Sequence, residues 1–426
     1  MSTDDKNELV KPTKKNKVVA ISEYKGIEWV HVKQNGNPYP TRENFEVLLN
    51  HYKIQANYDV ISKRVLVHEN EILHPHYGDE ITELIAELTS KCVENGLAKS
   101  SVSDYLDAHI LKNSENPVLD YLQSVKRTTE LDPIEALVNY LPIKHKGWAT
   151  IAFKRWFIQC VACVDMAEQT PNEIALPKYE HVLTFYGEQG GGKSTFINSL
   201  LPRDLGRKYF IDGVSLDLKN KDSILGALSS WICELGELDS TFRKSDISGI
   251  KAFLSKRKDE IRKPYGRATS LMARQTSFLA SVNEEKYLRD DTGNRRYFPI
   301  SVTGKLTIPE HFDIADFWAH IWGEYKRGEQ WWLTPEEEER QKEVLAEHEH
   351  STLKELLLDT FIFEKESRPE QMTGTEILEL CGLNANRSTQ TKLGSALKLL
   401  SVTKLNIHQT RKYLMPNIRN AKKYMS

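Results

Sequence analysis

Hydrophobic and polar residues follow two different periods along this 426-residue chain. Between residues 75 and 170 the apolar side chains recur every three or four positions, as at Ile81, Leu84 and Leu88, which predicts helices. Beyond residue 178 the pattern changes to short apolar runs separated by helical stretches, which predicts the buried strands of an α/β domain. The strand-like runs are residues 182–186, 209–211, 231–237, 277–283 and 297–300.

A glycine-rich stretch, Gly187–Ser194, lies between the first of these runs and an amphipathic helix predicted from Lys193 onward. Its spacing, G-x-x-x-x-G-K-S, lets glycines adopt positive φ angles while backbone N–H groups converge on phosphate oxygens. Lys193 is expected at the β- and γ-phosphates of ATP, and the Ser194 hydroxyl at Mg²⁺. The expected nucleotide-binding residues are Gly187, Gly190, Gly191, Gly192, Lys193, Ser194 and Thr195.

Polar residues at the ends of later runs are candidates for hydrolysis of that nucleotide. Glu234 and Glu237 close an apolar run, and such carboxylates hold the metal and orient the attacking water. We assign Glu234 to the metal and Glu237 to the water, although the two could exchange roles or be plain solvent-facing carboxylates. Asn283 ends the next run and is expected to hold the water near the γ-phosphate.

Two further features carry positive charge. Arg295 and Arg296 precede the run 297–300 and are either surface charge or groups that reach across a subunit boundary to the transition state. Residues 242–267 contain nine lysines and arginines against three acidic residues, a local net charge of +6. Within them, Lys263–Arg267 is a turn with two cations and an aromatic ring, which suits a phosphate backbone and a stacked base. A solvated charged hairpin is the alternative.

Composition narrows the classes of partner and compartment. The net charge is −2, so any contact with nucleic acid must come from local patches. Five cysteines are scattered, and Cys160 and Cys163 fall in a helical run, where core thiols are favoured over a zinc site. The first residues are polar, and no apolar run approaches the ~20 residues of a membrane span. We therefore expect a cytoplasmic protein without a membrane partner.

The C-terminal part begins with a charged helix that Thr334 caps. Further helices, the last at residues 388–400, precede strands at 407–414, an order typical of winged-helix domains. Residues 387–426 contain nine cations and no acidic residue. With Arg411 and Lys412 on the predicted wing, this pattern favours DNA binding over a solvated basic tail.

The segments GEQGGGKST, WICELGELDS, IKAFLSKRKDEIRKPYGR and FLASVNEEKYLRDDTGNRRYFPI, with their spacing, closely resemble the virulence-associated protein E family. These ATPases occur in prophages and phage-related chromosomal islands. More distantly, the segments are similar to viral superfamily 3 helicases of the AAA+ class. The resemblance is strong over residues 117–332.

The resemblance implies Walker A at Gly187–Ser194, Walker B ending at Glu234, sensor 1 at Asn283, and an arginine finger at Arg295 or Arg296, with Arg295 preferred. It implies a ring, commonly a hexamer, with ATP between subunits and a DNA-gripping hairpin in the pore. The DNA-binding residues expected on that hairpin are Lys258, Arg262, Lys263, Tyr265 and Arg267. Residues 1–170 show no acidic primase pattern, so a primase or replication initiator is expected to be a separate partner.

These patterns predict an α/β P-loop NTPase core of the AAA+/superfamily 3 type, a mostly α N-terminal region and a C-terminal winged-helix-like domain. The expected function is an ATP-dependent DNA helicase or translocase, acting on single-stranded or forked DNA in replication of a prophage or chromosomal island. An ATP-gated DNA-binding switch without unwinding and a small-molecule kinase are the alternatives. The predicted parts are a disordered basic tail (1–17), an α+β segment (18–74, with a strand at 27–32), a helical domain (75–170), the ATPase core (171–333) and a basic helical and winged-helix-like region (334–426).

Overall fold

The computed structural model describes residues 26–69, 72–73, 80–169, 178–236, 244–262, 269–282, 294–363, 369–407 and 410–417. These residues form two compact units. The first unit contains the described residues up to Glu115, and the second contains those from Asn116 onward. No helix in these ranges is both long and apolar enough to cross a membrane.

The first unit is a four-stranded sheet with three helices. Its elements are α1 (Arg42–His51), β1 (Ile54–Asp59), β2 (Val65–Glu69), β3 (Ile72–Leu73), α2 (Glu80–Glu94), α3 (Ser100–Lys112) and β4 (Ser114–Glu115). The strand order is β3-β2-β1-β4, with β2 antiparallel and β4 parallel to β1. Because β4 closes the sheet beside β1, α2 and α3 belong to this unit, which ends at Glu115.

The strand expected at residues 27–32 does not form. Val32 makes only an isolated bridge, with Pro38. The backbone N–H groups of Val30 and His31 instead donate to the side-chain oxygen of Asn44, at 2.9 and 3.1 Å. Asn44 is buried in the first turn of α1, which Thr41 caps as expected. A side chain therefore satisfies backbone groups for which the β-prone sequence suggested a neighbouring strand.

The second unit begins with α4 (Pro117–Ser124), α5 (Pro133–Tyr140) and α6 (Lys146–Gln169). The first two helices each start with a proline behind a capping side chain, Asn116 or Asp132. α6 lies in the core. Trp156 is fully buried there, as expected of a packing residue, and its indole N–H donates to the carbonyl of Phe278 at 2.9 Å.

The main sheet of this unit has five parallel strands in the order β11-β5-β10-β7-β6. Its elements, with the helices and the hairpin between the strands, are β5 (Val182–Tyr186), α7 (Lys193–Ser199), α8 (Arg203–Tyr209), β6 (Phe210–Val214), α9 (Lys221–Leu228), β7 (Ile232–Leu235), α10 (Lys244–Leu254), β8 (Lys258–Arg262), β9 (Thr269–Ala273), β10 (Ser277–Val282) and β11 (Tyr297–Ser301). β5, β7 and β11 are buried along their whole length, because a parallel sheet is covered on both faces. The α/β class predicted from the apolar runs is confirmed.

The C-terminal elements are α11 (Ile314–Lys326), α12 (Pro335–Thr360), β12 (Glu370–Thr373), α13 (Gly374–Leu380), α14 (Arg387–Leu399), β13 (Lys404–Ile407) and β14 (Thr410–Met415). The antiparallel sheet β12-β14-β13 adds a first strand to the expected helix–helix–hairpin order. α12 links this part to the main sheet. Gln341 donates to the carbonyl of Tyr297 at 2.8 Å, while Leu353 and Leu357, nearer the end of the helix, share an apolar cluster with Leu393 of α14.

Candidate nucleotide-binding site

The candidate site lies where β5 ends and the chain turns into α7. Gly187, Gly190 and Gly192 have φ angles of 148°, 83° and 73°, which glycine adopts without the penalty of a side chain. At Gly187 a Cβ atom would lie 2.6 Å from the carbonyl oxygen of Val302, so any other residue would displace the backbone. The loop conformation therefore depends on glycines in the phosphate-binding pattern.

Lys193 is the first residue of α7 and is buried inside the curve of the loop. Its ammonium group donates to the carbonyl oxygens of Gly187 at 2.7 Å and Glu188 at 3.2 Å. A third contact of 3.3 Å reaches the carbonyl of Val282, the last residue of β10. The loop thus holds a positive charge next to a helix N-terminus, an arrangement that binds phosphate.

Ser194 and Glu234 bring together the two groups expected at a magnesium site. The Ser194 hydroxyl donates to Oε1 of Glu234 at 2.9 Å, across 40 residues of sequence. Glu234, the third residue of β7, is 2% exposed, and its Oε2 atom has no hydrogen-bond partner among the described residues. Mg²⁺ takes hydroxyl and carboxylate oxygens and keeps several waters, so this pair fits an ion that also binds nucleotide phosphates.

Burial raises the pKa of Glu234 above its ordinary value of 4.5. The nearby hydroxyls of Ser281 and Ser194 act against this rise, as does the charge of Lys193, whereas the carboxylate of Asp212 adds to it. Asp212 lies on the neighbouring strand β6, and the sequence pattern did not single it out. A divalent cation bound here would favour the ionised carboxylate and would offset the cost of its burial.

Glu237 and Asn283 lie outside the described residues, and their roles stay predictions. The described residues that precede them in sequence, Gly236 and Val282, lie at the loop-bearing edge of the sheet. Val282, which precedes Asn283, accepts from the backbone N–H of Gly187 at 3.4 Å. β10 lies between β5 and β7, so it ends between the phosphate loop and the strand that carries Glu234.

Arg295 and Arg296 lie at the opposite edge of the same sheet. This is the edge at which the parallel strands begin, whereas the phosphate loop lies where they end. They end a 3₁₀ turn before β11, whose first residue, Tyr297, pairs with Val182 at the start of β5. β5 then runs its full length before it reaches the loop. At about 3.3 Å per residue, the two arginines are about 16 Å from the loop of their own chain along the strand.

The two arginines have different surroundings. Arg296 donates to the Ser255 hydroxyl at 2.8 Å and lies 3.2 Å from Glu180, and its side chain is 16% exposed. Arg295 is 68% exposed, and its contact with Glu180 is 3.9 Å long. Burial raises the pKa of Glu180, but the Ser255 hydrogen bond and the Arg296 charge outweigh this effect and leave it lowered. Arg296 is thus held within the chain, and Arg295 faces outward.

The basic hairpin is present as the antiparallel pair β8 and β9, with Lys258 opposite Ala273. The residues that join the two strands lie outside the described ranges, and Lys263, Tyr265 and Arg267 are among them. For Arg262 only the backbone is described.

The base of the hairpin is fixed by a buried ion pair. Arg274, which follows β9, contacts both carboxylate oxygens of Asp259, at 2.7 and 2.8 Å. Its guanidinium also donates to the carbonyl of Phe253 at 2.6 Å and lies 4.4 Å from that ring centroid. Three residues later the chain enters β10, so hairpin and main sheet are joined through Arg274.

The cations expected on the wing lie on β14. Arg411 is exposed, whereas Lys412 is half-buried and pairs in register with Leu405. Helix α14 adds two exposed cations, Arg387 and Lys398. The structure therefore places several positive charges on one small domain.

One segment at the site was not expected from the sequence. Val302–Leu306, which follows β11, packs along the phosphate loop, and the Leu306 N–H donates to the carbonyl of Gly191 at 2.8 Å. Its single cation, Lys305, has no motif around it. Only the parallel pairing of β11 with β5 brings this segment to the loop, so local sequence contains no signal for it.

Comparison with known proteins gives one family match. A family model described as a virulence-associated protein E-like domain matches residues 122–350, more than half of the chain. Among solved structures, the chain is similar to the apo structure of the NrS-1 C-terminal region (305–718), with 13% identity, a TM-score of 0.41, and coverage of 88% of this chain and 98% of that chain. The A form apo structure of the same region has 12% identity, a TM-score of 0.40 and the same coverage. No curated protein matches the chain.

Proposed function

The chain belongs to the virulence-associated protein E-like family, and we propose on that premise that it is a magnesium-dependent ATP hydrolase of the P-loop class. We propose further that hydrolysis drives movement along DNA, or its unwinding, during replication of a prophage or phage-related chromosomal island. The observation that carries the proposal is the contact of Ser194 with buried Glu234, next to the ammonium group of Lys193.

The proposed roles follow from charge and position. Lys193 and the loop N–H groups hold the phosphates, and Ser194 and Glu234 hold Mg²⁺. When bound, magnesium neutralises charge that develops on the β- and γ-phosphates. Glu237 orients the attacking water, and Asn283 holds that water near the γ-phosphate. Glu234 lies in the strand with little exposure, which suits a metal-holding role better than one that must exchange protons with solvent.

Phosphate release from MgATP by the purified full chain tests the hydrolase proposal, with and without single-stranded or forked DNA. Lys193→Ala is expected to lower turnover at least about 100-fold, because it removes a charge that stabilises the transferring phosphoryl group. Lys208→Ala, which changes an exposed lysine of α8, is the matched control and should leave turnover unchanged. Absence of nucleotide turnover under every condition would refute the proposal.

We place the complete site between two copies of the chain in a ring, for which a hexamer is the working expectation. Arg295 supports this arrangement, because it is exposed and lies at the edge of the sheet away from its own loop. The mass of the particle with an ATP analogue and single-stranded DNA tests the ring. A monomer under those conditions contradicts a site shared between subunits.

The basic hairpin and the C-terminal domain are the proposed DNA contacts. α14 occupies the place of the second helix in a winged-helix domain, and its exposed Arg387 and Lys398 accompany Arg411 on the wing. Arg411→Ala is expected to weaken DNA binding and to lower the slope of log affinity against log salt by about one. An unchanged slope, equal to that of Lys208→Ala, would show that Arg411 contacts no phosphate.

An ATP-gated DNA-binding switch is the alternative, and strand displacement on forked DNA separates the two functions. ATP-dependent displacement that Lys193→Ala abolishes supports a helicase. Hydrolysis that DNA stimulates, without any displacement, supports the switch. Hydrolysis that ignores DNA but responds to a metabolite would instead indicate a small-molecule kinase. A separate primase or replication initiator remains the partner expected in either DNA-directed function.

A further inference from the structure

The segment Val302–Leu306 is tied to both ends of the phosphate loop. The N–H of Val302 donates to the carbonyl of Tyr186 at 2.8 Å, where β5 ends, and the N–H of Leu306 donates to the carbonyl of Gly191 at 2.8 Å. A third anchor is Thr303, whose N–H and hydroxyl both reach the carbonyl of Pro142, at 2.8 and 2.9 Å. The segment is therefore held in a defined position beside the loop.

Contact between this segment and the loop is made by backbone against backbone. A Cβ atom on Gly187 would lie 2.6 Å from the Val302 carbonyl oxygen, and one on Gly192 would lie 3.1 Å from the Leu306 carbonyl oxygen. Glycine thus serves a second purpose in the loop, because it lets a neighbouring chain segment approach as closely as a ligand does.

Lys305 is the residue of this segment that carries charge. Its side chain is exposed, and no described carboxylate forms an ion pair with it. Its Cγ atom lies 4.0 Å from the position of a Cβ atom on Gly192. Three further bonds extend the side chain by roughly 4 Å beyond Cγ, enough to carry the ammonium group over the N-terminus of α7.

We infer that Lys305 contacts the polyphosphate of a bound nucleoside di- or triphosphate, as a second cation besides Lys193. This inference rests on the proposed nucleotide-binding function and adds a residue to it. Lys193 reaches the phosphates from within the loop, whereas Lys305 reaches them from the solvent side. The ligand class follows from the chemistry, because a flexible ammonium at a helix N-terminus favours phosphate oxygens and offers nothing specific to a base.

Equilibrium binding tests the inference without relying on turnover. Isothermal titration of the full chain with ATP, ADP and adenosine is compared for wild type, Lys305→Ala, Lys305→Arg and the control Lys208→Ala. Lys305→Ala should weaken ATP and ADP binding about tenfold, the usual effect of one charge-assisted hydrogen bond. Lys305→Arg should restore most of the affinity for ATP and ADP. The affinity for adenosine should not change in either variant. Added salt should reduce the difference in ATP affinity between wild type and Lys305→Ala.

Turnover adds a second criterion. Lys305→Ala should raise KM for MgATP while kcat stays within about twofold, because a contact with phosphates that is equal in ground state and transition state lowers KM alone.

The outcomes separate this inference from the function on which it rests. If wild type binds no nucleotide, the proposed function fails. If wild type binds ATP and Lys193→Ala does not, while Lys305→Ala binds as wild type does, the inference fails and the proposed function stands. An equal loss of adenosine and ATP affinity in Lys305→Ala would show a structural disturbance of the loop and would also overturn the inference.

Discussion

The two edges of the five-stranded sheet use charged residues in opposite ways. At the loop-bearing edge, Lys193 and Glu234 are buried, and each makes hydrogen bonds inside the chain. At the other edge, Arg296 is held by Glu180 and Ser255, but Arg295 is mostly exposed. One edge holds the buried residues that we propose bind the nucleotide, and the other holds an exposed cation.

This difference is the one that the proposed site between two subunits requires, since each chain would then contribute a loop to one site and an arginine to another. A guanidinium about 16 Å from its own loop cannot stabilise charge there, since such stabilisation requires contact. The hairpin β8–β9 also joins the sheet at this second edge, through Arg274. β10 connects the edges, because it begins near Arg274 and ends at Val282, whose carbonyl accepts from Lys193.

Among the variants that test this difference between the edges, Arg295→Ala has the largest expected effect. Turnover should fall about 1000-fold while ATP binding is kept, as for an arginine that acts on the transition state of a neighbouring subunit. Mixing Arg295→Ala with Lys193→Ala should restore part of the activity, because some interfaces then combine an intact loop with an intact arginine. Phosphate release from the mixture measures this.

Arg296→Ala is the matched control, since it removes the adjacent guanidinium. It should lower the melting temperature, through the lost contacts with Ser255 and Glu180, and leave turnover per folded molecule nearly unchanged. The reverse result, with Arg296→Ala inactive and Arg295→Ala active, would exchange the two roles. Failure of the mixture to regain activity would remove the argument for a shared site.

Arg274→Leu addresses the link between the edges. Removal of one partner leaves Asp259 as a buried unpaired charge, which is expected to cost about 3–5 kcal/mol of unfolding free energy. The double variant Arg274→Leu with Asp259→Leu should recover most of that loss. Urea unfolding of the three proteins measures the effect, and equal stability of single and double variants would contradict it.

The same double variant sharpens the functional comparison. If the ion pair orients the hairpin relative to β10, basal hydrolysis should persist in the double variant while stimulation by DNA decreases. If DNA stimulates hydrolysis by the double variant as much as by wild type, the ion pair is not needed to orient the hairpin.

Glu234→Gln has the smallest expected effect in the absence of nucleotide. Burial raises the pKa of Glu234 in the folded state above 4.5, so the folded protein holds the proton more tightly than the unfolded chain does. Ionisation of Glu234 therefore lowers the free energy of unfolding. This loss is complete at pH values above the folded-state pKa and absent at pH values below 4.5. The variant should melt above wild type at pH 8 and show no gain near pH 4.

Asp212→Asn is the control for this pH dependence. Asp212 is exposed on β6, and its replacement removes its repulsion of Glu234 but leaves the cost of burying Glu234, so the gain should be smaller. A gain for Glu234→Gln that is equal at both pH values would show that ionisation of Glu234 is not its cause.

Local patterns predicted several elements, because their causes are local. Glycines at fixed spacing predicted the loop between β5 and α7, and Thr41 and Thr334 predicted helix starts through short-range capping bonds. The strand expected at 27–32 was wrong because the side chain of Asn44, 14 and 13 residues beyond Val30 and His31, accepts from their backbone N–H groups. No local pattern predicted that β4 pairs with β1, because the two strands lie far apart in the sequence.

By itself, the sequence determined the phosphate loop, the buried runs that become parallel strands, and the family to which the chain belongs. It named Glu234 and the two arginines as candidates but had no means to compare their surroundings. The tertiary structure alone decided that Glu234 meets Ser194, that Arg295 rather than Arg296 faces outward, and that Lys305 lies beside the loop. These outcomes depend on strand order and parallel register, which bring together residues that are far apart in the chain, and a local pattern contains no information on such pairing.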